Sequence, residues 1–265
     1  MRRNLFIFTL LALLLPGCIV VRVESREDVA PGPYPGHKPP TANPLPLSEE
    51  SDRSLVGGLG WALLSHEVAR AELEVDHAGD VQLSGEALAS LEAALREHGG
   101  KASVETVREG GLPHREVYSA EDLRSLAADH RDTQSGQGEV SVYVLVLPGR
   151  FELRGVPGVA FAATAFALFP DVVGAQLPPS ANVAGFQTTL AIHELGHLFG
   201  LVNLTGVGGF HEDENHPGHA KTEDSVMHWA VESFSFTELF GSGPPSEFTD
   251  ADREEMRLVR NQRSS

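Results

Sequence analysis

Residues 193–203 of this 265-residue chain read His-Glu-Leu-Gly-His-Leu-Phe-Gly-Leu-Val-Asn. His193 and His197 are four positions apart, so on an α-helix their imidazoles share one face and can reach the same metal ion. Glu194 lies about 100° further round the helix, where it can act on a water molecule instead of binding the metal. A His-Glu-x-x-His sequence on a helix is typical of a zinc site that carries its own general base.

The residues around this motif support a helix that faces a cleft. Gly200 permits a sharp turn after the second histidine, because glycine adopts left-handed conformations without steric cost. Such a turn can bring a third ligand back to the metal. Four apolar residues fall on the face opposite the histidines and predict burial of that face in the core. They are Ala191, Leu195, Leu198 and Val202.

The segment from His193 to Gly200 resembles the metzincin metallopeptidases, whose signature is His-Glu-x-x-His-x-x-Gly-x-x-His followed by a Met-turn. The resemblance implies one catalytic Zn²⁺, with His193 and His197 as ligands and Glu194 as the catalytic base. The match ends at Asn203, where the family has its third histidine. A neutral amide is a poor zinc ligand, so the third ligand comes from later in the chain or the site is incomplete.

A later third ligand is available. His219, followed by Ser225-Val226-Met227, has the spacing of the archaemetzincin-type sequence His-Cys-x4-Cys-x-Met, with small residues replacing both cysteines. The resemblance implies that His219 is the third ligand, delayed by an insertion, and that Met227 is the Met-turn residue packed beneath the metal. His211 is the alternative third ligand, and His216 is the least favoured of the three loop histidines.

Two further features near the motif have open interpretations. His228 and Trp229 follow the Met-turn, and neither can be assigned a role from the sequence. Four acidic side chains in the same region could hold Ca²⁺, although a solvated acidic loop is the simpler interpretation. These are Asp213, Glu214, Glu223 and Asp224.

The N-terminus predicts export. Two arginines precede a short apolar run, and residues 1–17 have the pattern of a signal peptide too short to span a membrane. The sequence Leu15-Pro16-Gly17-Cys18 resembles the bacterial lipoprotein processing box, which implies acylation of Cys18, the only cysteine. We therefore expect a lipid anchor at Cys18 and a location in the bacterial cell envelope, with Ile19 favouring the outer membrane or cell surface. The alternative is an ordinary cleaved signal peptide.

Composition and charge define the rest of the chain. Residues 18–49 form a lipidated N-terminus with a proline-rich linker, and residues 50–265 are long enough for one metallopeptidase domain. The net charge is −17, and it becomes −19 once the two arginines of residues 1–17 are removed. Such acidity argues against nucleic acid as a partner.

The hydrophobic pattern predicts alternating strands and helices. Strands are expected at 71–76, 102–108, 139–147, 159–169 and 172–177. Helices are expected at 84–98, 119–130 and 249–261, and at the zinc motif. This order, with the resemblance, predicts an α+β fold: a metzincin-like zincin catalytic domain with a mixed twisted sheet, an active-site helix and a Met-turn. In that fold an extended substrate pairs with the last strand before the zinc helix, for which 172–177 is the candidate.

These features together predict a zinc-dependent metalloendopeptidase that hydrolyses a peptide or protein substrate, with Glu194 as general base. One alternative is a catalytically degenerate metzincin-fold lipoprotein that binds a partner, in which Asn203 marks a broken site. The other is a zinc hydrolase that acts on a different substrate, such as cell-wall peptide.

Overall fold

A computed structural model describes residues 55–136, 138–177, 181–232 and 245–262. The predicted signal peptide, Cys18 and the proline-rich linker lie outside the described residues. None of the helices in the described ranges is both long and apolar enough to cross a membrane.

The described strands form one main sheet and two small ones. In chain order they are β1 (Arg70–Ala78), β2 (Ser103–Leu112), β3 (Val117–Tyr118), β4 (Glu139–Val146), β5 (Arg150–Phe151), β6 (Gly158–Ala162), β7 (Ala165–Leu168), β8 (Glu212–Asp213) and β9 (His216–Ala220). The main sheet has the order β2-β1-β4-β7-β6. Its first four strands are parallel, and β6 pairs antiparallel with β7 at one edge.

The helices lie between these strands and after them. They are α1 (Gly60–Leu64), α2 (Gly85–Glu97), α3 (Ala120–His130), α4 (Pro170–Gln176), α5 (Val183–Leu198) and α6 (Asp250–Asn261), with a 3₁₀ helix at Trp229–Glu232. Helix α5 packs against α2 and against β6 and β7. The predicted zinc motif therefore lies beside the antiparallel edge of the sheet.

Strand β4 shows why the sheet is buried on both faces. Val142 and Val144 point into the larger apolar cluster, which also holds residues of α2, α5 and α6. Tyr143 and Leu145 point the other way, into a second cluster that includes α3. Burial on both faces is expected for strands within a parallel sheet, because the connecting helices cover them.

The predicted helix starts are confirmed. Ser84, Ser119 and Thr249 each accept a hydrogen bond from a backbone N–H in the first turn of α2, α3 and α6. In α3 and α6 the aspartate three positions after the cap, Asp122 or Asp252, accepts a hydrogen bond from the backbone N–H of the capping residue. These capping boxes satisfy N–H groups that would otherwise lack partners.

Two of the predicted strands are wrong. The segment 159–169 is not one strand but the hairpin of β6 and β7, which turns at Ala163 and Thr164. The segment 172–177 is not a strand, because most of it belongs to α4, which begins with Pro170 in its first turn. Proline suits that position, where no backbone N–H is needed. The edge strand beside the zinc motif is β6, and 172–177 cannot pair with a substrate as predicted.

Candidate metal centre

His193 and His197 are adjacent and buried on α5. Their Nε2 atoms are 3.1 Å apart, and neither residue has exposed surface. The Nδ1 of His193 lies 2.7 Å from the carbonyl oxygen of Val226, a distance at which the ring donates to the carbonyl. That bond places the proton on Nδ1, so the Nε2 lone pair points toward His197 and is available to a metal.

His219 reaches the same place from β9. The backbone N–H of Ala220 donates to the carbonyl of Met227 at 2.8 Å, which holds the end of β9 against the segment of the predicted Met-turn. The ring of His219 is buried, and its centroid lies 5.4 Å from the centroids of both His193 and His197. The structure thus brings the three predicted histidines together.

Met227, the predicted Met-turn residue, packs against helix α5. A Cβ atom built on Gly196, between the two helix histidines, would collide with the Met227 sulfur. The absence of a side chain at Gly196 therefore lets the thioether pack closely against α5 at this point.

A fourth side chain, Glu232, joins the histidines. It is the last residue of the 3₁₀ helix and is buried. His193, His197, His219 and Glu232 each offer one ligand atom, and all four atoms lie within 4.8 Å of one another. Glu232 is not among the residues predicted from the sequence, because it follows Met227 at no spacing that the motif specifies.

These four residues form a group that suits a cation. The Glu232 oxygens and the His219 Nε2 are buried without a well-formed hydrogen bond, although they face one another. The histidine ring nitrogens and the Glu232 carboxylate converge on one point. The Nε2 of His193 carries no proton, so it cannot donate a hydrogen bond to the other groups. Buried polar atoms left in this state cost roughly 1–3 kcal/mol each, and a metal would satisfy them. Imidazole and carboxylate are both zinc ligands, so the group is compatible with a zinc site.

The electrostatics of the site favour the forms that bind metals. Burial and the adjacent His193 ring hold the pKa of His197 well below its usual range, and burial also lowers the pKa of His219. Burial alone would raise the pKa of Glu232, but His193 and the other neighbours hold that pKa well below its usual range. These shifts favour neutral rings at His197 and His219 and an anionic carboxylate at Glu232, the forms that bind a divalent cation.

Glu194 lies next to the ligand group without belonging to it. Its carboxylate is buried and interacts with the backbone of strand β6 at Ala160. Burial, and then the nearby Glu232 carboxylate, raise the pKa of Glu194 well above its usual range. A carboxyl group that lies next to the metal group without belonging to it is placed to accept and return a proton.

Gly158 holds Glu194 in place by leaving room for it. A Cβ atom on Gly158 would lie 2.5 Å from Glu194 Oε1 and 3.0 Å from Leu190 Cδ1. We expect Gly158→Ala to push the carboxylate aside and to lower kcat of a hydrolytic activity about 10- to 100-fold, because small displacements of a catalytic group have large effects. The measurement is kcat together with metal content, which should stay unchanged.

The matched control is Gly174→Ala, since a Cβ on this helical glycine meets nothing within 4 Å. Gly174→Ala should leave kcat at the parent value. Equal kcat in both variants would show that the contact with Gly158 does not position Glu194.

Asn203 and His211 belong to a separate hydrogen-bond network centred on Glu255 of α6. The Glu255 carboxylate accepts hydrogen bonds from the backbone N–H groups of Val202 and Asn203, at 2.7 and 2.8 Å. The Nε2 of His211 is 2.7 Å from the same carboxylate. Asn203 uses its side-chain amide to contact Glu212 at 2.7 Å. Neither Asn203 nor His211 belongs to the metal group.

Helix α6 also secures the Met-turn. The hydroxyl of Ser225 donates to Asp252 at 2.8 Å and accepts the backbone N–H of Met227 at 2.9 Å. Asp252 and Glu255 are one turn apart, so one face of α6 carries both carboxylates. Asp252 fixes the segment of the predicted Met-turn, and Glu255 fixes the loop that follows α5.

The remaining predicted residues lie around the site. The ring of His216 stacks on Trp229 at 4.2 Å between centroids, and its Nδ1 contacts Asp213 at 2.7 Å. His228 is buried beside Trp229. In the described part of the chain the His-His-His-Glu group is the one cluster able to hold a metal, and the four acidic residues considered for calcium are not part of it.

Comparisons with known proteins support the fold. No protein-family model matches the sequence, and no curated protein matches it. Among solved structures, the chain is similar to the crystal structure of archaemetzincin from Methanopyrus kandleri, with 18% identity and a TM-score of 0.50. The match covers 74% of this chain and 97% of that one. The predicted fold class is confirmed: the described domain has a metzincin-like zincin fold.

Proposed function

We propose that this protein is a zinc-dependent metalloendopeptidase, with His193, His197 and His219 holding the metal and Glu194 acting as general base. One observation supports this function above the others. Three buried histidine rings converge on one point, and the carboxylate next to the first of them on α5 is excluded from the ligand group. That arrangement separates metal binding from proton transfer, which metal-assisted hydrolysis requires.

Different residues of the chain would bind the metal, transfer the proton and position the site. Zinc held by the three histidines would supply Lewis acidity for the substrate carbonyl and would lower the pKa of water to near neutral. Glu194 removes a proton from the attacking water and later delivers it to the leaving amine. The backbone carbonyl of Val226 orients the His193 ring, and Met227 packs against α5 next to the two helix histidines. Asp252 holds the Met-turn through Ser225.

Strand β6 is the place where an extended substrate would align. It is the antiparallel edge of the main sheet and lies beside Glu194, and edge strands bind peptides through main-chain hydrogen bonds. Val159 and Ala160 are buried. A peptide can therefore pair with β6 only after the packing around that edge has opened.

The proposed location follows from the N-terminal sequence. Acylation of Cys18 would anchor the protein to the bacterial envelope, and the proline-rich segment would hold the catalytic domain away from the membrane surface. The proposed partners are a peptide or protein substrate and the lipid bilayer.

The decisive experiment compares the full-length chain with Glu194→Gln. We expect one zinc per chain in both proteins and hydrolysis of unfolded protein substrates by the parent, with kcat at least about 100-fold lower in the variant because the general base is lost. A matched control is Glu67→Gln. Glu67 is exposed and lies in His66-Glu67-Val-Ala-Arg70, which resembles the motif but has arginine in place of the second histidine. This control should retain parental kcat.

The same assay separates the alternatives. A zinc-loaded parent that cleaves muropeptides but no protein would identify a hydrolase of cell-wall peptide. A parent that holds no zinc even after metal loading would contradict the enzyme assignment and favour the degenerate binding protein.

A further inference from the structure

Glu232 lies where the proposed enzyme should have an open position. Catalytic zinc sites combine three protein ligands with one place for water or substrate, whereas structural sites are closed by four protein ligands. Here the described residues provide four candidate ligands, of which Glu232 is the one that the motif does not account for. Its position therefore bears on whether the site is open or closed.

The distances around Glu232 suit direct coordination. Its Oε1 is 3.0 Å from the Nε2 of His193 and 3.9 Å from that of His197, and its Oε2 is 3.7 Å from the Nε2 of His219. Four ligands at tetrahedral corners, each about 2.0–2.1 Å from zinc, are separated from one another by about 3.3 Å. The carboxylate thus faces all three rings at separations close to those of a tetrahedral set.

The burial of the Glu232 carboxylate also suits direct coordination of a metal. Both Glu232 oxygens are buried without a well-formed hydrogen bond among the described residues, and the polar groups that face them include His193, His219 and Glu194. A buried, unpaired carboxylate is costly unless a cation compensates it. The 3₁₀ helix inserts this carboxylate directly after the Met-turn, which α6 holds in place through Ser225.

We infer that Glu232 is a fourth protein ligand that closes the metal's coordination sphere, so that the structure represents a latent form of the site. This inference rests on the proposed function, since latency has meaning only for an enzyme. Glu232 must leave the metal before water and a substrate carbonyl can reach it next to Glu194. The neighbouring carboxylates of Glu194 and Glu232 then have different roles: the first moves a proton and the second blocks the site.

The test uses the full-length chain loaded with Co²⁺, whose visible absorption reports coordination, and azide as a small anion that binds only at an open position. We expect no spectral response to azide in the parent and a clear response in Glu232→Gln, because a neutral amide is a poor ligand. The Kd for Zn²⁺ should weaken at least about 10-fold in Glu232→Gln. The control is Glu223→Gln, an exposed acid between β9 and the Met-turn, which should behave as the parent.

Hydrolysis gives a second readout. If Glu232 blocks the site, the parent cleaves unfolded protein only through the small fraction of molecules in which Glu232 has left the metal, and Glu232→Gln cleaves it faster. A parent that already responds to azide, or a variant with unchanged Zn²⁺ affinity, would overturn the inference. The azide measurement on the parent is decisive even if the variant fails to fold.

The two proposals can fail separately. If the coordination results are as expected but neither protein hydrolyses any substrate, the fourth ligand stands and the peptidase assignment fails. If the parent hydrolyses protein and responds to azide, the peptidase assignment stands and Glu232 is not a closing ligand.

Discussion

Substitution of His219 by alanine is expected to weaken Zn²⁺ binding by more than about 100-fold and to abolish hydrolysis, whereas His211→Ala is expected to keep one zinc per chain. His219 faces both helix histidines at 5.4 Å between ring centroids. Even residues that merely orient metal ligands contribute about 10- to 100-fold to affinity, so a direct ligand should contribute more. The measurement is metal content after dialysis, followed by a competition titration for Kd.

His211→Ala should lower the free energy of unfolding instead. Its ring contacts Glu255 at 2.7 Å, and loss of a hydrogen bond to a charged group costs about 1.5–3 kcal/mol. His114→Ala, at an exposed position, provides the matched control and should change neither property. Zinc lost with His211→Ala and kept with His219→Ala would move the third ligand to His211.

Glu255→Ala is expected to have the largest effect on stability, lowering the free energy of unfolding by about 3–5 kcal/mol. The buried carboxylate accepts two backbone N–H groups, from Val202 and Asn203, and contacts His211. Alanine leaves the buried Val202 N–H and the partly buried Asn203 N–H without this acceptor. The loop already contains left-handed backbone, with φ of 56° at Val202 and 66° at Asn203. Chemical denaturation of the metal-loaded protein measures the loss.

The adjacent Glu254 is the natural control. It is exposed and pairs with Arg257 on the same helix, an arrangement that contributes little to stability in water. Glu254→Ala should therefore remain close to the parent. Similar stabilities for the two variants would show that Glu255 does not hold the loop after α5. Because that loop leads toward β9, we also expect weaker Zn²⁺ binding in Glu255→Ala than in Glu254→Ala.

The elements with local signals could be predicted from the sequence. The capping residues Ser84, Ser119 and Thr249 marked three helices, since a side-chain acceptor followed by a helical apolar pattern is a local feature. The two errors lie where such signals are weak. The hairpin turn at Ala163 and Thr164 has no glycine, proline, asparagine or aspartate, and the short apolar run of α4 does not distinguish helix from strand.

The residues of the site also differ in whether the sequence alone could predict their positions. The sequence alone determined the pairing of His193 with His197 and the place of Glu194, because helical geometry fixes neighbours three or four residues apart. Only the tertiary structure decided that His219 faces them, that His211 and Asn203 bind Glu255, and that Glu232 enters the group. These contacts join segments from different parts of the chain. They depend on the path of β9 and on the anchoring of two loops by α6, which no local pattern encodes.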